Sequence, residues 1–182
     1  MNTTGNIYKE SAVNVDLSAY SHFRFENCEG YRNISGSNIK EIDFGWWNDD
    51  EECLYLLEIK DYTSNPDRIV KKDESHVLIE NLWKKSIDVI LMLSAVWLDN
   101  IGGREIKSCL PIHVQRKCKI KIFHLLKCDK SLEPHLSPIS DKLKDRFRGY
   151  KQLYENILTF KIISARQAEK MKIFKGLLSF DS

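Results

Sequence analysis

Two hydrophobic runs flank an acidic stretch in the first third of the chain. The runs IKEIDFGWW and CLYLLEIKDY are rich in β-branched, aromatic and aliphatic residues, and the segment NDDEE separates them. Strands favour such side chains, and a short polar connection between two strands is typical of a hairpin. The pattern therefore predicts a β-hairpin over residues 39–62.

A helical pattern follows the predicted hairpin. Residues 74–99 repeat hydrophobic side chains at spacings of three and four, at Val77, Leu78, Leu82, Ile87, Ile90, Leu91, Leu93 and Trp97. Gly102 and Gly103 come next, and glycine is common where a helix ends. We predict a long central helix that these two glycines terminate.

The second half of the chain contains two further strand patterns and one helix. Residues 118–128 alternate Lys with Ile and Phe before becoming apolar, which predicts a strand with one wetter face. The segment ILTFKIIS at residues 157–164 predicts a last strand. Between them, residues 131–156 predict a basic helix, because apolar side chains recur at helical spacing at Leu143, Phe147, Tyr150 and Tyr154.

The N-terminal segments are less regular. Residues 8–23 have loosely helical spacing, and residues 30–38 are rich in turn formers, so we expect a short helix followed by a short strand or loop. The whole order is helix, strand, hairpin, helix, strand, helix, strand, which indicates an α/β fold.

Composition agrees with one folded unit. The 182 residues lie within the usual size of one domain, 42% of them are hydrophobic and 30% are charged. No internal repeat or low-complexity linker divides the chain. We expect a single domain over residues 1–182.

Cysteines and apolar segments bear on the compartment. Five widely spaced cysteines without a C-x-x-C pair argue against a disulfide framework or a zinc ribbon and predict reduced thiols. The longest apolar stretch, residues 86–98, contains Asp88 and is shorter than the about 20 residues that span a bilayer. The first residues lack the basic-then-apolar order of a secretory signal. We expect a cytoplasmic protein with no membrane partner.

Charge is divided unevenly along the chain. Residues 1–100 hold 10 Lys and Arg against 18 Asp and Glu, whereas residues 101–182 hold 18 against 8. A basic surface can neutralise phosphates, and an acidic cluster can hold a cation. The asymmetry favours nucleic acid as a partner, although the two halves could also mix on the folded surface.

The charged residues of the predicted hairpin suggest its chemistry. If the turn is centred between Asp50 and Glu51, Asp43 lies opposite Glu58. Lys60 shares a strand face with Glu58, because residues two apart in a strand point the same way. The same register places Glu41 opposite Lys60.

Two facing carboxylates repel each other unless a cation lies between them. Magnesium needs few protein ligands, so Asp43, Glu58 and the backbone carbonyl of Ile59 would suffice. Lys60 could orient or deprotonate a bound water, or stabilise charge on a phosphate. These residue types fit phosphodiester hydrolysis. The alternative is an ordinary ion pair on a hairpin, in which Lys60 neutralises Glu58 or Glu41.

The pattern D43…x14…E58-I-K60 resembles the motif of the PD-(D/E)XK nuclease superfamily, which has the restriction-endonuclease-like fold. Asp43 matches the first Asp of the motif, Glu58 the second acid and Lys60 the lysine, while Ile42 stands where the motif often has proline. The resemblance implies a core of α-β-β-β-α-β order, with a mixed central sheet flanked by helices. A C-terminal helix and strand would extend this core.

The resemblance also implies an activity and a set of partners. It points to a Mg2+-dependent endonuclease in which Mn2+ can substitute, with DNA favoured over RNA, and it leaves a homodimer open. An upstream acid often completes the metal shell in this superfamily, and Glu26 is our choice for that position.

Basic residues elsewhere are candidates for phosphate contact. They are Lys84 and Lys85 on the long helix, and Lys142, Lys144, Arg146 and Arg148 on the basic helix. Solvated helix faces explain the same residues without any ligand.

Two other classes of function compete with a nuclease. One is a non-catalytic nucleic-acid-binding or assembly protein that retains the nuclease fold, and the other is a protein-interaction domain. The chain contains no P-loop, dinucleotide-binding, nucleophile-elbow or H-E-x-x-H motif. His124, within an apolar strand pattern, is interpreted as a hydrogen-bonded core residue and not as a metal ligand.

Overall fold

A mixed β-sheet with helices on its surface organises the protein. The computed structural model describes residues 6–36, 38–154 and 157–180. The described strands are β1 (Ile7–Glu10), β2 (Val13–Asp16), β3 (His22–Phe23), β4 (Phe44–Asn48), β5 (Cys53–Asp61), β6 (Lys119–Lys127), β7 (Leu158–Ser164) and β8 (Leu178–Phe180). The described α-helices are α1 (Glu29–Ser35), α2 (Asp67–Val70), α3 (Lys72–Trp97), α4 (Ile101–Lys107), α5 (Leu136–Leu153) and α6 (Ala165–Lys170).

The central sheet has the strand order β3-β4-β5-β6-β7. Strands β3, β4 and β5 are antiparallel, whereas β6 runs parallel to β5 and β7 runs parallel to β6. The connections that join the parallel strands contain α3 and α5, as parallel pairing requires. The predicted α/β class with a mixed sheet is confirmed.

The two faces of the sheet have separate cores, because side chains alternate along each strand. On one face, Leu54 and Leu56 of β5 pack with residues of α3 such as Leu82. On the other face, Tyr55 and Leu57 pack with the β1–β2 hairpin and its surroundings. Even-numbered positions of β5 therefore face α3, and Glu58 and Lys60 belong to this set.

The hairpin register agrees with the sequence prediction. Phe44 pairs with Leu57 and Asn48 pairs with Cys53, which centres the turn between Asp50 and Glu51. Asn48 Oδ1 stabilises the turn by accepting a hydrogen bond of 2.8 Å from the backbone N–H of Glu51. The strand pairing that follows from a turn centred between Asp50 and Glu51 is confirmed over the whole of β4.

The predicted cross-strand pairing of Lys60 with Glu41 is wrong, because β4 is shorter than expected, whereas the alternative ion pair of Lys60 with Glu58 is present. The strand begins at Phe44, so Glu41 lies outside the ladder and does not pair with Lys60. Its carboxylate instead accepts a hydrogen bond from the Tyr31 hydroxyl on α1. A local side-chain partner thus takes Glu41 away from the strand.

The long helix was predicted well, but its terminator was not. Helix α3 ends at Trp97, and Asp99 then reverses the chain with φ of 52°. Asn100 caps α4 by accepting a 2.8 Å bond from the N–H of Gly103. Gly102 and Gly103 lie within α4, so the prediction that they end the long helix is wrong. Asp tolerates the left-handed conformation that a helix end often needs, which makes a terminal glycine unnecessary.

The N-terminal prediction of a helix over residues 8–23 is also wrong. Ser11 and Ala12 have φ of 50° and 58°, as in the two-residue turn that suits a tight hairpin between β1 and β2. Residues 30–38, expected as a strand or loop, fall largely in α1. Strand β8 pairs with β2, so β7 is not the last strand as predicted. These short segments are determined by distant pairing that local spacing does not report.

The other predicted elements are confirmed, with one adjustment. Strand β6 and strand β7 lie where their patterns indicated, and α5 begins only at Leu136, within the predicted helical stretch. The wetter face of β6 is confined to its start, where Lys119 is exposed and Lys121 pairs with Glu51. Residues 122–126 of β6 are buried on both faces, because one core packs against Ile122 and Leu126 and the other against Phe123 and Leu125.

The expectation of five reduced thiols is wrong. Cys28 and Cys109 form a disulfide that links the start of α1 to the chain after α4, with their Cα atoms 5.6 Å apart. Cys53, Cys118 and Cys128 are free. The bond could not be read from spacing, since the two cysteines are 81 residues apart. Disulfides are rare in the cytosol, so the compartment stays a prediction.

Across the described ranges, no single helix is long and apolar enough to cross a bilayer. Helices α3 and α4 reach that length and composition only as a pair, and the pair is bent by 97°.

Gly103→Ala should destabilise the fold strongly. A Cβ at Gly103 would lie 2.0 Å from the carbonyl oxygen of Ala95 on α3, so the helices would have to separate. We expect the free energy of unfolding to fall by roughly 3 kcal/mol in urea titrations. Gly102→Ala is the matched control, because its Cβ would meet nothing closer than 4.0 Å. An equal loss in both variants would contradict the close approach of α4 to α3.

Candidate functional site

The candidate site is built around Asp43, at the entry to β4. Its Oδ2 accepts a hydrogen bond of 2.7 Å from the backbone N–H of Ile59 on β5. This bond holds the carboxylate beside β5, on the face of the sheet that α3 covers. Asp43 directly precedes the first ladder pair, Phe44–Leu57, so its predicted position opposite Glu58 lies just beyond the ladder, and the hydrogen bond from Ile59 brings its carboxylate to this end of β5.

Glu58 is the most buried charged residue of the site, with a side-chain exposure of 0%. Lys60 Nζ lies 2.8 Å from its Oε1, and Lys85 Nζ of α3 lies 2.7 Å from the same oxygen. Lys85 Nζ is also 3.9 Å from Oδ1 of Asp43. Asp43 and Glu58 therefore share one cation, and that cation is the Lys85 ammonium.

Burial and neighbouring charges shift the pKa values at this site. Burial raises the pKa of Glu58, the nearby Asp43 carboxylate raises it further, and the two lysines oppose this shift. For Lys60, burial alone would lower the pKa, but the Glu58 and Asp43 carboxylates outweigh it and the net pKa is raised. Lys60 therefore holds its proton at neutral pH.

Neither oxygen of the buried Glu58 carboxylate accepts a well-directed hydrogen bond from the described residues, but Oε1 has two lysine ammonium groups as ion-pair partners and Oε2 has no partner of either kind. Among the residues that the structure describes, nothing donates to Oε2 of Glu58, and this atom is hidden from solvent. A buried acceptor without a donor is costly, and buried polar groups are nearly always paired. The site can therefore accept one further donor or cation at Glu58.

His124 lies beside Glu58 in the sheet, where the two residues are partners in the parallel ladder. Its Nε2 is 3.0 Å from the Ser86 hydroxyl, and that hydroxyl also donates to the carbonyl of Leu82. Burial, aided by the charges of Lys85 and Lys60, lowers the pKa of His124 to about 3. The interpretation of His124 as a hydrogen-bonded core residue is confirmed.

His124→Gln should make the protein less sensitive to mild acid. In the unfolded chain the pKa of histidine is about 6.5, so acid favours unfolding as the pH falls from 6.5 towards 3. We expect wild type to lose about 2 kcal/mol of unfolding free energy between pH 7 and pH 5 through this residue. The measurement is urea unfolding at both pH values. An identical loss in His124→Gln would contradict the lowered pKa, because it would mean that His124 has the same pKa in the folded and unfolded states.

The remaining residues predicted for the metal site are placed differently. Glu26 is half exposed, and its carboxylate forms an ion pair of 2.9 Å with Arg24. In the described part of the chain, no three His, Cys, Asp or Glu side chains gather into a group that could hold a metal. Any metal would thus depend on Asp43 and Glu58 as side-chain ligands. Ile59 joins the site through its N–H, and the ligand role of its carbonyl stays a prediction.

The residues proposed for phosphate contact lie in different places, and only one of them is at the acid pair. Lys84 pairs with Asp88 at 2.8 Å and lies outside the cation site, whereas Lys85 lies within it. On α5, Arg146 pairs with Glu80 of α3. Lys144 pairs with Asp141 and Arg148 with Asp145, both one turn apart on α5. Lys142 is exposed. Exposed pairs of this kind are weak and leave the lysines available to phosphate.

Arg24 is a site residue that sequence reasoning missed. Its Nε donates a 3.1 Å hydrogen bond to the backbone carbonyl of Asp43, and its guanidinium lies 4.6 Å from the centre of the Phe44 ring. These contacts fix the chain where Asp43 enters β4. An arginine between Phe23 and Phe25 was the available signal, because a charge within an apolar segment usually has a buried partner.

The chain matches no protein-family model, no curated protein and no solved structure. The case for an activity therefore depends on the site's own residues.

Proposed function

We propose that the protein is a divalent-metal-dependent nuclease whose reacting centre is the Asp43–Glu58–Lys60 cluster. One observation carries the proposal. Two acids from adjacent strands share one cation position, and the more buried acid has an oxygen, Oε2 of Glu58, without a donor. An ordinary surface ion pair leaves no such oxygen inside the protein.

The donor set fits magnesium. Mg2+ accepts one or two protein carboxylates and completes its shell with water, so Asp43 and Glu58 would hold it. When bound, the ion would polarise a phosphate oxygen and lower the pKa of a coordinated water. The hydrogen bond from Ile59 N–H and the buried position of Glu58 keep the two carboxylates in place for this task.

Lys60 supplies positive charge beside the acids. Its ammonium lies 2.8 Å from Glu58, and its side chain is 35% exposed, so a phosphate arriving from solvent can reach it. As a cation it would stabilise the charge that develops on the phosphate in the transition state. This role is favoured over proton abstraction, since an ammonium has no free lone pair.

The strand order also supports the resemblance to the PD-(D/E)XK superfamily. Antiparallel β3, β4 and β5 are followed by α3 and then by the parallel strand β6, which matches the β-β-β-α-β part of the expected core. A difference is the position of α1, which lies between β3 and β4 and not before the first strand. Helix α5 and β7 form the expected C-terminal extension, to which α6 and β8 add.

Nucleic acid, with DNA favoured over RNA, is the substrate we propose. Lys142, Lys144 and Arg148 line the outer face of α5 and can contact phosphates. Arg146 is less suited, because it pairs with Glu80 and its guanidinium lies 5.8 Å from the centre of the Trp83 ring.

A second candidate is a non-catalytic protein that uses the same fold to bind nucleic acid. The observation in its favour is the charge balance of the site, where Lys60 and Lys85 already neutralise Glu58 and Asp43. A site neutral without metal could serve only to stabilise the sheet. Binding without cleavage would identify this alternative.

The deciding experiment is a cleavage assay. Plasmid, linear duplex, single-stranded DNA and RNA are each incubated with Mg2+, Mn2+ or EDTA. We expect cleavage with either metal, none with EDTA, and a loss of at least about 100-fold in Asp43→Asn and Glu58→Gln. Asp50→Asn is the matched control, because it removes the same charge from the exposed turn of the same hairpin. Cleavage that survives in Glu58→Gln would rule out this centre.

Lys60→Ala should separate catalysis from binding. If Lys60 acts on the transition state, the variant loses cleavage rate while its affinity for DNA changes little. Single-turnover rates and fluorescence anisotropy with the same duplex measure the two quantities. An equal loss in both would make Lys60 a phosphate anchor instead.

A further inference from the structure

Lys85 is a second lysine at the acid pair, and it comes from a different element than the motif residues. It projects from α3 to the sheet and places its ammonium 2.7 Å from Glu58 and 3.9 Å from Asp43. Lys60, by contrast, contacts Glu58 from the same strand, two residues away. Of the two ammonium groups, that of Lys85 lies where both acids meet a shared cation.

From this position we propose that Lys85 is an exchangeable cation that links metal binding to nucleic-acid binding. Without substrate, its ammonium neutralises Glu58 and Asp43 and competes with a divalent metal. When a substrate phosphate arrives, Lys85 transfers its contact to the phosphate, and the two carboxylates become available to the metal. This inference rests on the proposed function and deepens it by assigning an order to binding.

The charges at the site favour such an exchange. Two carboxylates and two ammonium groups sum to zero, and Glu58 is shielded from solvent. A divalent ion added beside both lysines would leave two uncompensated positive charges where screening by water is weak. A backbone phosphate that takes over the Lys85 ammonium supplies one of the two missing negative charges and so halves the excess.

The side chain of Lys85 is able to move. It is 18% exposed, so part of its length already reaches solvent, while its α3 neighbour Lys84 is held by Asp88 at 2.8 Å. The four-carbon stem of lysine allows several rotamers on a fixed helix backbone.

Exchange of this kind predicts reciprocal coupling. If phosphate binding raises the affinity for metal, metal binding raises the affinity for nucleic acid by the same factor. Removing the Lys85 charge should leave the Asp43 and Glu58 carboxylates available to a metal whether or not nucleic acid is bound. The variant should then bind metal tightly without nucleic acid and show little further gain when nucleic acid is added.

The test measures Mn2+ binding through the paramagnetic signal of free Mn2+. Wild type and Lys85→Met are titrated alone and with a short DNA duplex that carries cleavage-resistant phosphorothioate linkages, and a titration of duplex alone is subtracted. We expect the duplex to tighten Mn2+ binding to wild type roughly tenfold, within the usual range of coupling between sites. Lys85→Met should bind Mn2+ about tenfold tighter than wild type without DNA and gain little from the duplex.

Three further variants make the result specific. Lys72→Met removes the same charge from an exposed position at the start of α3 and should behave as wild type. Lys85→Arg retains the charge and should retain the weak affinity. If Lys85→Met does not fold by circular dichroism, Lys85→Gln carries the same test.

Two results would overturn the exchange. One is an unchanged or weaker Mn2+ affinity in Lys85→Met, and the other is equal tightening by DNA in wild type and variant. Either of these, in a protein that cleaves DNA with Mn2+, removes the exchange and leaves the proposed function intact. Absence of Mn2+ binding in every variant, with and without DNA, removes both.

Discussion

The structure of the site depends on burying the Glu58 carboxylate in the sheet. A buried carboxylate is strongly destabilising unless it is paired, and here two ammonium groups contact one of its oxygens. The pairing draws Lys60 of β5 and Lys85 of α3 towards one point, at the place where the apolar residues of α3 pack on the sheet. The backbone N–H of Ile59 donates a hydrogen bond to Asp43 and so holds this second carboxylate near Glu58. An arrangement that satisfies a buried charge is thereby also one that can hold a cation.

Backbone geometry explains why these residues meet. The hairpin register and the alternation of side chains place Asp43 and Glu58 on the α3 face, and the parallel pairing of β5 with β6 adds His124 to the same face. A slip of one residue in the hairpin would send one acid to the opposite core. The neutral, buried His124 contributes no charge, so the electrostatics of the site are set by two acids and two lysines.

Local sequence pattern was sufficient for some of this fold and not for the rest. The hairpin with its register, the long helix and strand β6 could be predicted, because each has enough hydrophobic periodicity to determine its own conformation. The β1–β2 hairpin, its pairing with β8 and the Cys28–Cys109 disulfide could not, since each depends on contacts between distant segments. At the site, Asp43, Glu58 and Lys60 could be predicted from the hairpin register and from the alternation of side chains along a strand. The contacts of Lys85 with Glu58 and of Arg24 with Asp43 could not be predicted, because they depend on how α3 and the segment after β3 pack against the hairpin.

The central claim is that Asp43 and Glu58 form one cation site in which a metal can replace the Lys85 ammonium. Its most direct test is anomalous X-ray diffraction from crystals grown with Mn2+ and a cleavage-resistant DNA duplex. The account predicts an anomalous peak about 2 Å from carboxylate oxygens of both Asp43 and Glu58, with Lys85 Nζ turned away from Glu58 and towards a phosphate. Crystals with bound duplex that show no peak there, and Lys85 still in contact with Glu58, would contradict it.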